Sequence, residues 1–162
     1  MSERAAGVPT VMDVDLYLLC RDEARIAQWE RRRDDLPETR LRLKTGFSSM
    51  YAFINAAIAD SKAPYLVLAH DDVVLGRNFA ARVRDLADEL NQRYPNWGVA
   101  SNAGVGIDGR SYAIFVKDPW CEPMSAAAPK PVAAVDGNVM LVNRDNFIEN
   151  GCEYPDLGGF HG

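Results

Sequence analysis

The sequence predicts an α/β fold: a mainly parallel central sheet flanked by helices, with more mixed strands in the second half. Three observations carry this expectation. Strand-like and helix-like segments alternate through the first half of the chain. The run Tyr65 to Ala69 (YLVLA) is apolar at every position, as a strand at the centre of a parallel sheet must be. After Trp97 the segments become short and rich in Val or aromatic residues. A sheet of this kind takes its ligands at the carboxyl ends of its strands.

The elements follow in order. Asp15 to Cys20 (DLYLLC) is a short apolar run and reads as a buried strand. Asp22 to Arg33 reads as a helix, with Asp22 as its cap and Glu23 near its positive end. Leu41 to Leu43 is a weak second strand. Met50, Tyr51, Ile54, Ala57 and Ile58 recur at helical spacing, with Ser48 as cap and Lys62-Ala63-Pro64 as the stop. Tyr65 to Ala69 then delivers His70-Asp71-Asp72. From about Asn78 to Arg93, Phe79, Val83, Leu86 and Leu90 mark the apolar face of another helix, punctuated by Pro95 and Asn96. Gly98 to Ser101, Ser111 to Val116, Val132 to Val135 and Val139 to Asn143 are short strands. Pro119 to Pro131, with its four prolines and three consecutive alanines, reads as a mobile surface loop. Asp145 to Asn150 is a short helix stopped by Gly151. Residues 1–11 read as an N-terminal tail and 12–162 as one domain.

Composition narrows the function classes. The chain has 162 residues, 48% hydrophobic and 25% charged, the profile of a globular protein with a sizeable core rather than a disordered one. Eighteen basic against 23 acidic residues give a net charge of -5, the wrong sign for nonspecific nucleic-acid binding. No apolar stretch is long enough to cross a membrane, and Met1 to Thr10 lacks the apolar core of a signal peptide. Cys20, Cys121 and Cys152 are odd in number and form no CxxC pair, which argues for a reducing compartment and against a zinc site or a disulfide framework. The expected location is the cytoplasm, or the inner face of its membrane.

The segment YLVLAHDDVVL, residues 65 to 75, is the strongest chemical signal. Two carboxylates and an imidazole stand where a buried strand ends. Hard cations such as Mg²⁺ or Mn²⁺ prefer carboxylate oxygens and keep positions for phosphate oxygens. The competing reading is a solvated Asp-Asp turn before the next helix. Asp13-Val14-Asp15 has two carboxylates one residue apart but lies at the amino end of the first strand, where a solvated approach to the strand is expected. Gly104-Val105-Gly106-Ile107-Asp108-Gly109 spells a dinucleotide fingerprint, yet a strand-like segment follows where a helix is required, so a hairpin or loop is the better reading. No P-loop and no GxSxG motif occurs.

Four stretches resemble the GT-A-fold glycosyltransferases of the family 2-like group. They are Cys20-Arg21-Asp22-Glu23; Thr45-Gly46-Phe47 through Asn55-Ala56-Ala57-Ile58; YLVLAHDDVVL; and Val135-Asp136-Gly137 with VMLVNRDNF and Gly151. The resemblance covers the chain from about residue 12 to the end. It implies transfer of a sugar from a nucleotide-diphosphate donor to a hydroxyl of a glycan, lipid-linked or small-molecule acceptor, with inversion. It implies Mn²⁺ or Mg²⁺ on Asp72, with His161 as a later ligand. Arg21, Asp22, Lys44, Asn55, His70 and Asp71 would serve the donor, Asn55 by tying its helix to the donor loop. Asp136 and Gly137 would lie on the acceptor side, with a hairpin turn as the competing reading. There the glycine would let a second backbone or a sugar come close.

The chain departs from the family in three places. His70 stands at the first acidic position of the motif. The second strand, with its base-reading acid, is short or missing between Asp34 and Lys44. The chain stops at Phe160-His161-Gly162, before the expected catalytic base, which suggests a domain cut off near that base. Asp156 is the nearest internal candidate for it. Two alternatives remain. A sugar nucleotidyltransferase would need a glycine-rich loop after the first strand, which Cys20-Arg21-Asp22-Glu23 does not offer. A non-catalytic nucleotide-sugar-binding fragment would lack its general base.

Overall fold

The computed structural model describes residues 14–113, 124–125 and 128–155. Strand β1 (Val14–Leu19) leads to α1 (Glu23–Glu30), and after a short 3-10 turn at Arg33–Asp35 to β2 (Thr39–Lys44). Helix α2 (Met50–Asp60), β3 (Tyr65–His70) and α3 (Phe79–Arg93) complete the alternating half. Short strands β4 (Val99–Ser101), β5 (Ala103–Val105), β6 (Ser111–Ala113), β7 (Met124–Ser125) and β8 (Ala134–Val135) precede β9 (Val139–Asn143) and α4 (Arg144–Glu149).

The main sheet has five strands in the order β2-β1-β3-β9-β4. β1 lies parallel to both β2 and β3, while β9 runs antiparallel between β3 and β4. The expected α/β architecture is present, and its sheet is mixed. Side chains alternate across it. Leu16, Leu18, Val67, Ala69 and Leu141 pack with Trp29 of α1 and with Ala80, Val83, Ala87 and Leu90 of α3. Tyr17, Leu66, Leu68, Met140 and Val142 pack on the other face with Phe53, Ile54, Ala57 and Ile58 of α2 and Phe147 of α4. β3 is covered on both faces, which explains its unbroken apolar run; truncating Leu66 to Ala there costs about 2–5 kcal/mol.

Local signals set most boundaries. The Asp22 side chain accepts from the Arg25 N–H and starts α1, as expected. For α2 the capping side chain is Ser49, accepting from the Ala52 N–H, not Ser48: Ser49 is the residue with extended backbone just before the first helical turn. The second strand is neither short nor missing. Thr39–Lys44 (TRLRLK) alternates charged and apolar residues, as a strand at the edge of a sheet does. Its last residue is Lys44, so no acid ends it.

A second, four-stranded sheet in the order β7-β6-β5-β8 lies after β4. The sequence 104–109 spans the end of β5 and the hairpin loop that leads to β6, as its context predicted. Gly104 has the β8 backbone so close that a Cβ would meet the Ala134 carbonyl at 2.6 Å, and Gly109 has a positive φ of 74°. The expected loop 119–131 lies largely outside the described residues, but Met124–Ser125 within it pairs with Tyr112–Ala113 and is strand rather than loop.

Candidate functional site at the carboxyl edge of the sheet

Parallel pairing brings three strand ends to one edge. Leu19 is the register partner of both Lys44 and His70, so the segments after β1, β2 and β3 leave the sheet side by side. Cys20, Arg21, Asp22 and the His70-Asp71-Asp72 run therefore meet without any special loop.

The two aspartates of that run have opposite environments. Asp71 is buried, with 6% of its side chain exposed. Its Oδ2 accepts from the Arg21 backbone N–H at 2.9 Å and its Oδ1 from Arg21 Nη2 at 3.3 Å. Arg25 Nε lies 3.9 Å from Oδ2. Trp29 Nε1 donates to the Asp71 carbonyl at 3.0 Å. Burial alone raises the pKa of this carboxyl, but the Arg21 N–H and the two guanidiniums outweigh it and hold the group below the ordinary carboxylate range. Asp72 is exposed and has no hydrogen bond or ion pair with any described residue. The imidazole of His70 points its Nε2 into a buried position with no hydrogen-bond partner. A buried, unpartnered ring nitrogen is uncommon in a folded protein.

Cys20 sits beside this cluster. Burial, reinforced by Asp71 and Asp22, pushes its thiol up to about 11, so it stays protonated and unreactive at neutral pH. The edge carries Asp22, Glu23, Asp71 and Asp72 against Arg21 and Arg25. Its net charge is negative, so it attracts cations and opposes a bare anion.

The other expected site residues are placed as follows. Asp22 lies at this edge with its carboxylate engaged as the α1 cap. Lys44 is paired with Asp60, Nζ to Oδ2 at 3.5 Å, and Asp60 also accepts from the buried Tyr17 hydroxyl. Asn55, expected to tie α2 to the donor loop, ties it to the segment after α4. Its amide brackets the backbone of Tyr154, donating to the carbonyl at 2.8 Å and accepting from the N–H at 3.2 Å. Tyr154 in turn stacks between Tyr51 and Phe147, at 5.9 and 5.8 Å. Asp136 forms the turn between β8 and β9, its carboxylate accepting from the Asn138 N–H at 2.8 Å. A Cβ on Gly137 would meet nothing within 4 Å, so no close backbone approach requires glycine there. Asp156 and His161 lie outside the described residues.

Asp15, expected to be solvated, is instead 1% exposed. Arg40 Nε and Ser61 Oγ each donate to its carboxylate at 2.6 Å. These partners lie 25 and 46 residues away, and no local pattern announces them. Sequence reasoning also missed Arg25 and Trp29. Their signal was present: residues 21, 25 and 29 recur at intervals of four, the spacing of one helix face.

Among the described residues no three His, Cys, Asp or Glu side chains converge on a metal position. A protein cage is not required for Mg²⁺ or Mn²⁺ on a nucleotide, where one or two carboxylates and the phosphate oxygens suffice. The exposed carboxylate of Asp72, unpartnered among the described residues, fits that demand; Asp71, committed to arginine, does not add to it. Compared with known proteins, the sequence matches no family model, and no curated protein is similar enough to count as a relative.

Proposed function

We propose that this chain carries the donor-binding part of a metal-assisted glycosyltransferase with a GT-A-type fold, acting on a nucleotide-diphosphate sugar. The observation that carries this reading is the free carboxylate of Asp72, standing next to the arginine-held Asp71 where the central strand ends. The edge-on meeting of β1 and β3 supports it, as does the resemblance of the four stretches described above.

In this reading Asp72 holds Mn²⁺ or Mg²⁺ together with the donor diphosphate. When bound, the ion supplies charge neutralisation to the leaving diphosphate. Asp71 fixes the segment after β1 against the segment after β3, so that Arg21 and Asp72 face one ligand. His70, at the end of β3, stands beside these aspartates on the donor side. The turn at Asp136-Gly137 belongs to the acceptor side. The acidic balance of the edge makes nucleotide binding dependent on the cation.

Thermal unfolding with UDP, GDP, CDP and dTDP, each with and without Mn²⁺, tests the reading on the wild type and Asp72→Ala. A ligand at 100 times its Kd stabilises by about 2.7 kcal/mol. The expected result is one nucleotide whose stabilisation requires Mn²⁺ and is lost in Asp72→Ala. Cooperative unfolding unmoved by every nucleotide, with or without the ion, would sink it.

A further inference from the structure

We propose that Arg21 and Arg25 together form an anion-binding pair for the phosphoryl oxygens of a diphosphate, with Asp71 as the positioning residue that holds both guanidiniums at the sheet edge. The proposal rests on reading this edge as a nucleotide-diphosphate site, and it identifies which side chains meet the anion.

Four features support it. First, two guanidiniums converge on one buried carboxylate, at 3.3 and 3.9 Å. One carboxylate balances one of them, so the Arg21–Arg25–Asp71 trio is locally positive within an edge that is acidic as a whole. Second, the pair is within reach of a ligand whereas its anchor is not. Arg21 is 58% exposed and Arg25 31%, against 6% for Asp71. Arg21 uses Nη2 on Asp71, and Arg25 uses Nη1 on the Gln28 side chain at 3.0 Å. Donors remain on both forks, and guanidinium forks match the geometry of phosphate oxygens.

Third, the nearby helix end is a poor seat for an anion. The Arg25 N–H at the start of α1 is taken by the Asp22 carboxylate, and Glu23 stands in the first turn, where its charge opposes an anion. Lys44, the other cation expected to serve phosphate, is paired with Asp60 on the side of α2. Fourth, the arginines adjoin the free carboxylate of Asp72, which also acts on the charge of Arg21. A cation seat and an anion seat thus lie side by side, the layout that a metal–diphosphate complex presents to a protein.

The test is calorimetric titration of the full chain with inorganic pyrophosphate at low ionic strength, with and without Mg²⁺. The variants are Arg25→Gln, Arg25→Lys and Asp72→Asn. Loss of one charge-assisted contact to the anion predicts roughly tenfold or more weaker binding in Arg25→Gln. Arg25→Lys keeps the charge without the fork and should recover part of the affinity. Asp72→Asn should remove the Mg²⁺ enhancement.

Unchanged pyrophosphate affinity in both Arg25 variants would overturn the proposal and reduce the arginines to a structural tie. In that event Mn²⁺-dependent nucleotide binding through Asp72 can still stand, so the two failures are distinguishable. Wild-type protein that binds nucleotide but no pyrophosphate, even with Mg²⁺, would overturn it as well. If Arg25→Gln does not fold, Arg25→Lys still decides.

Discussion

The two ends of the central sheet each hold an aspartate beside an arginine, and they treat it differently. At the amino end, Asp15 is enclosed by Arg40 and Ser61, and both carboxylate oxygens are bonded. Nothing at that position is left to bind. At the carboxyl end, Asp71 is similarly enclosed by Arg21 and Arg25, but the chain places a second aspartate directly after it that is exposed and has no partner among the described residues. An enclosed acid fixes strand to neighbour. An acid left open beside an enclosed one is held in place without being consumed. The difference separates a carboxylate that stabilises from one available for chemistry.

Substitutions can break this comparison, and Asp15 should show the largest effect. Asp15→Ala leaves Arg40 and Ser61 without their shared acceptor. It should cost about 2–3 kcal/mol, the low end for a broken buried pair because Arg40 is partly exposed. Urea unfolding should show a lowered midpoint at unchanged slope.

Asp71→Asn comes next, at about 1–2 kcal/mol near neutral pH, through weakened charge-assisted hydrogen bonds. Its pH dependence has a defined sign. Because the folded carboxyl titrates below its unfolded value of about 3.9, its contribution is complete above that pH and is lost as the pH falls through the lower folded value. The stability gap between wild type and Asp71→Asn should therefore close on acidification below about pH 4. A gap that widens in acid would contradict the arginine clamp.

Asn55→Ala removes both bonds to the Tyr154 backbone and should cost about 1 kcal/mol. Hydrogen exchange at the Tyr154 amide should accelerate while β3 amides stay protected. Asp72→Asn should have the smallest effect, within about 0.5 kcal/mol, since no described partner is lost. If Asp72→Asn destabilises as much as Asp71→Asn, the contrast between the two aspartates is wrong.

Much of the fold was legible because its signals are local. Val139–Asn143 is found with the expected boundaries, and the covered strand at Tyr65 announced itself by apolar residues on both faces. Asp22 as a cap and the glycines of the 104–109 hairpin were read from chemistry within a few residues of each. The site was legible in its position, at the end of β3, but not in its division of labour. Which of two adjacent aspartates is enclosed depends on a helix that begins about fifty positions earlier, with Arg21 and Asp71 separated by 50 residues. Asn55 and Tyr154 lie 99 residues apart, and Lys44 reaches Asp60 across the side of α2; no spacing rule carries such contacts. The alternation of TRLRLK reads only weakly as a strand, since charged residues at every second position obscure a strand that lies at the edge of the sheet.

The antiparallel placement of β9 has a consequence for synthesis. β1, β2 and β3 pair among themselves within the first 70 residues, and α3 follows directly. The free side of β3 then waits for Val139–Asn143, because Leu66 takes Val142 as its partner. During translation Arg21 and Asp71 emerge well before the strand that closes the ladder of N–H and C=O groups on the free side of β3. Late closure of that ladder is a high-contact-order step, so it is slow relative to the local elements. Until it occurs, the unpaired strand is the part of the emerging protein most exposed to pairing with another chain and most in need of shielding.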